Sequence, residues 1–362
     1  MAPWYPNSKT VGRGSQITPP NRFERTWTEA DYEQLTADDV SDAERKLPTE
    51  FFPDQTRSII TENDSPDVGF RYSINPYRGC EHGCAYCYAR PGHEYLGLNA
   101  GLDFETKIFV KHNAAELLRE ALNKPAWRGD ESIMISGVTD CYQPAERKFR
   151  VTRSLLEVLL EARQACGLIT KNALVVRDLD LLAPLAKLRL ARVMLSITTL
   201  DHELARALEP RTSPPAKKLE AVRALSAAGV PVGVMVAPII PGLTDNEVPS
   251  ILAAAAAAGA KTAGYVLLRL PFAVRPIFED WLARNRPEHY NRVISRIRST
   301  RGGEMYQTEW RVRQTGTGEY AEQIANTFNV FKKKHDLDGE LPPHEFSLFR
   351  PPRASGGQMR LF

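Results

Sequence analysis

Cysteine is scarce in this chain, with five residues among 362. A small, odd number does not build the disulfide framework of a secreted domain, so reduced thiols are expected. Net charge is small as well, at +3 from 47 basic and 44 acidic residues. That balance neither demands nor opposes a nucleic-acid partner. Long apolar runs are missing too: ILAAAAAAGAK at 251–261 is mostly alanine and too short to span a bilayer. The first stretch, MAPWYPNSKTVGRGSQ, has no continuous apolar segment, so a secretory signal is not expected and the protein reads as cytoplasmic.

What is there is ordinary in bulk. Apolar residues make up 43% and charged residues 25%, and the length suffices to bury a sizeable core. Residues 1–70, rich in proline and charge, read as a partly loose N-terminal extension in which TEADYEQLTADD holds at most a short helix. From residue 71 an alternation begins. RYSIN, SIMISGVTD, GLITKNA, RVMLSITTL, PVGVMVAPIIPG and TAGYVLLRLP read as strands; TKIFVKHN also reads as extended. Between them AAELLREALNK, TRSLLEVLLEARQAC, LDLLAPLAKL (interrupted by Pro184), SPPAKKLEAVRALSAAG and EVPSILAAAAAAG read as helices. Such alternation predicts an α/β fold with a parallel sheet, and about six units predict an open, partial TIM-like (β/α)6 barrel over 71–290. Residues 291–362 form a C-terminal extension, basic at NRVISRIRSTRGG and ending in the linker-like LFRPPRASGGQMRLF.

Three cysteines, Cys80, Cys84 and Cys87, sit in RGCEHGCAYCYAR with spacing C-x3-C-x2-C. Thiolates suit zinc or an iron–sulfur cluster. A closed zinc site wants a fourth ligand, for which His82 and His93 are candidates. Alternatively, three thiolates hold three corners of a [4Fe–4S] cube and leave its last iron open. Gly79 and Gly83 relieve the turns of so short a loop. Polar residues gather at the strand ends, namely Thr139, Asp140, Lys171, Ser196 and the PGLTD run at 241–245, the end at which parallel barrels carry their sites.

The cysteine spacing, with an aromatic before the third cysteine at the first strand–loop of a βα series, resembles the radical S-adenosylmethionine (SAM) enzymes. CAYCYAR and TDCYQPAE resemble the group related to spore photoproduct lyase, often described as DNA-repair-photolyase-like. The resemblance spans roughly 70–290. It implies a cluster on Cys80, Cys84 and Cys87, with SAM chelated by the open iron and cleaved by one electron to a 5′-deoxyadenosyl radical. A flavodoxin- or ferredoxin-like donor is then an implied partner. Tyr86 is implied near the adenine, and Ser136, Thr139 and Asp140 near the SAM ammonium. Lys171 and Ser196 are implied SAM contacts, and Arg211 is a second candidate for its carboxylate. Ile240 and Gly242 match the family's G-x-I-x-G-x-x-E run, with Pro238 and Asp245 departing from it; Tyr265 or Leu267 are further candidates for the adenine pocket. Each has an ordinary packing or strand-end reading beside the functional one.

Tyr86 and Tyr88 flank Cys87, as the tyrosines linked to radical relay do in the lyase relatives. The relatives' hydrogen-donor cysteine is matched by Gly137, and Cys141 stands nearby as a substitute donor, so spore photoproduct repair itself is not assigned. Gln358, Met359, Leu361 and Phe362 resemble the pentapeptide by which bacterial repair proteins dock on the sliding clamp; EFSLF at 345–349 echoes it without the glutamine. The expectation is a radical SAM enzyme acting on nucleic acid. A small-molecule or peptide substrate is the alternative enzyme reading, and a zinc-binding interaction module the non-enzymatic one.

Overall fold

The computed structural model describes residues 10–24 and 47–353. TEADYEQLTADD and the QMRLF tail lie outside them. The strands are β1 (Glu50–Pro53), β2 (Ile60–Glu62), β3 (Tyr72–Ile74), β4 (Tyr77–Arg78), β5 (Lys107–Val110), β6 (Ile133–Ile135), β7 (Cys166–Thr170), β8 (Ala191–Ser196), β9 (Val232–Ile239) and β10 (Thr262–Leu267). Six of them, β3, β6, β7, β8, β9 and β10, lie side by side in that order and pair in parallel, and β2 closes one edge antiparallel to β3. This is the six-unit partial barrel that the alternation predicts. The first strand, β3, is short, and after Ile74 the chain runs through β4 into the cysteine loop. TKIFVKHN is extended as expected, but as β5 it pairs with β1 and β4 in a separate three-stranded sheet.

The helices follow from amphipathic spacing. They are α1 (Leu102–Thr106), α2 (Ala114–Leu122), α3 (Glu146–Phe149), α4 (Val151–Ala162), α5 (Leu179–Lys187), α6 (His202–Leu208), α7 (Pro215–Ala227), α8 (Val248–Ala257), α9 (Val274–Asn285), α10 (Tyr290–Ser299), α11 (Val312–Thr315) and α12 (Glu319–Lys334). In α4, Leu155, Leu156, Val158, Leu159 and Ala162 are buried against the sheet, the face that a 3.6-residue period selects. Pro184 sits inside α5 without ending it.

The described parts of the two extensions belong to the folded body. In α12, Ala321, Ile324 and Phe328 join the same core as Leu267 and Val234, and the Phe328 ring packs 4.7 Å from that of Tyr265. The segment after this helix meets the β10 edge, where Ala263 N donates to Leu337 O and Thr262 bridges Asp338. The chain then returns across the base of the barrel. Arg350 Nε donates to Glu161 O, Asn123 Nδ2 donates to Pro352 O, and Phe349 packs on Gly129. Phe349 is thus a packing residue, so EFSLF is occupied within the molecule. Among the described residues, no helix is long and apolar enough to cross a membrane.

Candidate functional site

The segment carrying the cysteines, residues 79–89, has no strand or helix of its own, yet it is mostly buried. Its peptide groups must therefore find partners. Gln143, fully buried, takes two of them: its Oε1 accepts the Glu81 amide at 2.8 Å and its Nε2 donates to Gly79 O at 3.1 Å. Cys80 N donates to Phe104 O, and Ala85 N donates to Leu208 O. Arg90, fully buried, donates from Nε and Nη2 to Cys84 O at 3.1 and 2.9 Å, and from Nη2 to Glu105 Oε1 at 2.5 Å. Gly79 and Gly83 have φ of +78° and +65°, the left-handed region that lets so short a loop double back.

A second strap clamps the loop from outside. Glu105, fully buried, also accepts the amides of Gly14 and Ser15 at 3.0 and 2.8 Å. Arg13 donates to Glu105 O, Leu47 O and Thr49 Oγ1. Gly14 lies so close to the loop that a Cβ there would stand 1.7 Å from Gly83 O. Part of the N-terminal extension read as loose is therefore a wall of the cysteine chamber.

Above this loop the strand ends converge. Asp140, after β6, accepts Thr170 Oγ1 and the Lys171 amide, both at 2.7 Å, and its Oδ2 lies 3.4 Å from His82 Nδ1. Burial opposes its charge, but His82, Thr170 and the amide outweigh burial and lower its pKa. Asp140 is thus a pin between two strand ends and the cysteine loop. Ser136 Oγ donates to Thr139 O and accepts the Cys141 amide, while Thr139 Oγ1 donates to Tyr77 O. All three expected ammonium contacts are engaged in shaping this turn. Ser196 is buried as the last residue of β8. Ile240, fully buried, packs in one apolar cluster with Cys84 and Tyr86, and Gly242 (φ +78°) makes the turn after it. Arg211 Nη1 donates to Glu81 Oε1 at 2.9 Å, holding the outer side of the loop. Of the adenine-pocket candidates, Tyr265 is the half-buried partner of Phe328 and Leu267 is a core residue.

The centre of charge is Glu209, which sequence reasoning passed over beside Arg211. Its buried carboxylate accepts Thr198 Oγ1 at 2.6 Å, Lys218 Nζ at 2.7 Å and the Tyr86 hydroxyl, and lies 3.2 Å from Lys171 Nζ. Burial opposes ionisation, yet the Lys171 and Lys218 ammonium groups hold its pKa far below the ordinary 4.5. Lys218 is 1% exposed and its Nζ makes no other hydrogen bond among the described residues. Lys171 Nζ also donates to Ala237 O and Thr198 Oγ1, 5.5 Å from the centre of the Tyr86 ring. A signal for this network was available. Lys218 shares the α7 face of Ala221, Val222 and Leu225, and a lysine on an apolar face requires a buried partner.

The remaining candidates separate. Tyr88 is 48% exposed, with its hydroxyl donating to Gly137 O at 2.9 Å. Cys141 is fully buried in the core with its Sγ 3.9 Å from Ile169 O, turned from the chamber that Lys171 and Tyr86 line. Of the histidines, His82 has both ring nitrogens engaged, by Asp140 and by Asn172 at 3.2 Å. His93 lies between Phe104 and Phe109 with Nε2 unpartnered among the described residues. There, no three His, Cys, Asp or Glu side chains close around a single-ion position.

Comparison with known proteins completes the picture. The family model of the radical SAM superfamily matches residues 74–255, half of the chain. The chain belongs to the radical SAM superfamily. An uncharacterized protein of Mycobacterium tuberculosis is 40% identical over 231 residues, 63% of this chain and 66% of that one. An uncharacterized protein of Methanocaldococcus jannaschii is 30% identical over 185 residues, 51% of this chain and 66% of that one. The matches thus span just under two thirds of these relatives' own length. Among solved structures, a spore photoproduct lyase variant with bound AdoMet and dinucleoside spore photoproduct superposes with a TM-score of 0.55 at 17% identity, covering 82% of this chain and 86% of that one. At that identity the likeness shows the shared fold.

A [4Fe–4S] cluster and SAM are the cofactors of the superfamily, and the residues present fit the cluster. Burial keeps each cysteine pKa raised, while the Asp140 and Ala89 amides favour thiolate at Cys80 and Cys87. Desolvated thiols clustered with no other function are a donor set for soft metal.

Two outcomes are expected. Gly14→Ala pushes the strap off Gly83, lowering stability by about 1–3 kcal/mol and reducing the iron retained on purification, measured by melting and metal analysis. Glu209→Gln strands Lys218 in the core and costs about 3–5 kcal/mol. Because the folded-state pKa of Glu209 is depressed, its contribution is complete above the unfolded value and is lost as pH falls below it. Denaturant titrations should therefore show Glu209→Gln losing less stability than the wild type between about pH 5 and 3.

Proposed function

We propose that the protein binds a [4Fe–4S] cluster on Cys80, Cys84 and Cys87, cleaves SAM reductively, and acts on nucleic acid in a lyase-like reaction. The observation that carries this is the seating of the three-cysteine loop at the C-terminal ends of six parallel strands, where Lys171, Thr198 and Ile240 face it. When bound, the two groups supply reductive scission of a sulfonium and hence a 5′-deoxyadenosyl radical. The chain's own part is to hold and enclose. Cys80, Cys84 and Cys87 are the metal ligands. Lys171, fixed by Thr198 and Glu209, offers a cation to a carboxylate at the chamber wall. Ile240, with Leu208 and Tyr86, gives an apolar surface for a purine and keeps water out. Tyr88, at the open edge, is the residue beside the cluster that is able to meet a substrate.

Nucleic acid is favoured over small molecules by two supports. Solved spore photoproduct lyases of this fold hold a dinucleoside photoproduct. In addition, α10 buries Val293 and Ile297 while exposing Arg292, Arg296 and Arg298, a face suited to phosphates. Of the two candidate fourth ligands for zinc, His82 already spends both nitrogens on Asp140 and Asn172, which leaves His93.

Anaerobic purification is expected to give a brown protein with iron and sulfide in cluster ratio and, after reduction with SAM, 5′-deoxyadenosine. Cys80→Ala, Cys84→Ala or Cys87→Ala should each abolish the product. Damaged DNA should raise turnover above unrelated metabolites and peptides. A colourless protein with one zinc would end the proposal; product unaffected by DNA would end its nucleic-acid part.

A further inference from the structure

Residues 305–318 lie beyond the stretch that the family model matches, and they build a feature that cofactor binding leaves unused. Trp310 is 48% exposed, a large apolar surface that folded chains ordinarily cover. It is not loosely held. The next residue, Arg311, has φ +66°, a strained left-handed conformation for a residue with a side chain. Asp67, whose side chain is 1% exposed, fixes that turn by accepting the Arg311 amide at 2.5 Å and Arg313 Nε. Arg313 Nη2 also donates to Ser65 Oγ at 3.0 Å. The guanidinium so pinned lies 4.0 Å from the centre of the Trp310 ring. One face of the indole is capped by a cation, and much of the ring remains in solvent.

A second pair of the same design stands next to the cysteine loop. Tyr88 follows Cys87, is 48% exposed, and is oriented by its hydroxyl bond to Gly137 O. The Arg269 guanidinium lies 5.2 Å from its ring centre. Arg269, two residues beyond β10, makes no ion pair or hydrogen bond among the described residues, and its charge is felt at Asp67. The buried Arg301 ties the two pairs together, donating from Nη2 to Leu268 O and from Nη1 to Val312 O, the residues next to Arg269 and Arg313. Val138, 50% exposed, extends the apolar surface beside Gly137.

A ring with one face capped by guanidinium offers its other face to a planar group, and the Arg269 guanidinium, not spent on a carboxylate as Arg313 is, offers its edge to an anion. A chain of bases and phosphates matches both at once. In a duplex the base faces are stacked away, so only unpaired nucleotides can use such rings. We propose that Tyr88–Arg269 and Trp310–Arg313 form a two-point grip on an unpaired stretch of nucleic acid, the two rings stacking two bases and Arg269 pairing with a phosphate. The reacting nucleotide is then presented at Tyr88, beside the cluster. This rests on the nucleic-acid reading above and adds the form of the substrate.

The test is fluorescence anisotropy of a labelled short single-stranded oligonucleotide and of its duplex, at several salt concentrations, with cluster-loaded protein. The single strand is expected to bind more tightly. Trp310→Ala should weaken it by about tenfold or more, while Trp310→Phe, which keeps a π face, retains most of the affinity. Arg269→Gln should reduce the salt dependence by about one phosphate's share. Iron and sulfide content equal to wild type shows that each variant is folded. Tighter duplex binding, or variants that bind the strand as the wild type does, overturns the grip while leaving the nucleic-acid reading standing. A wild type that binds neither form, and whose SAM cleavage is indifferent to DNA, overturns both.

Discussion

A loop without secondary structure, buried at the mouth of a barrel, must find a partner for nearly every peptide group it carries. That constraint organises this protein. Gln143 takes the amide of Glu81 and the carbonyl of Gly79, on either side of Cys80. Arg90 takes the carbonyl of Cys84. Glu105 neutralises Arg90 and binds the Gly14–Ser15 amides, so the N-terminal strap closes over what the barrel leaves open. The result is a preorganised set of three thiols, whose geometry comes from residues that never touch a metal.

The same loop meets a second demand, for charge. Glu209 is a buried carboxylate at the C-terminal end of α6, where the helix dipole disfavours an anion. Lys171 and Lys218 reverse that penalty, and Tyr86 and Thr198 fill its remaining acceptor sites. One network thus fixes the aromatic beside Cys87, the cation at the chamber wall and the base of α7. Removing any one member leaves another buried group unsatisfied, which is how polar networks enforce a single arrangement.

The outer rim has a different logic. The Tyr88 and Trp310 rings are exposed, with Arg269 and Arg313 half-buried against them, and no core packing explains the two rings. Their order comes from Gly137 and Asp67, one before and one within the barrel's first units. Inside the chamber, side chains are satisfied by one another; at its rim they are held in place but left available.

How much of this was legible follows from which interactions are local. The six βα units, the three cysteines and the strand-end positions of Lys171, Asp140 and Ile240 were readable, because periodicity and short spacings are properties of neighbouring residues. Lys218 was readable in principle from its place on an apolar helix face. TKIFVKHN was correctly extended but its sheet was not foreseeable, since pairing with β1 and β4 is a long-range choice. Glu209, Gln143, Glu105 and the strap at Gly14 were beyond reach for the same reason: each acts across tens of residues, on a partner that nothing nearby in the chain announces. By itself the sequence determined the repeating architecture and the spacing of the three thiols, because local patterning encodes both. Only the tertiary structure decided what braces the loop, which tyrosine is enclosed and which exposed, and that Cys141 faces the core, because those depend on where distant segments meet.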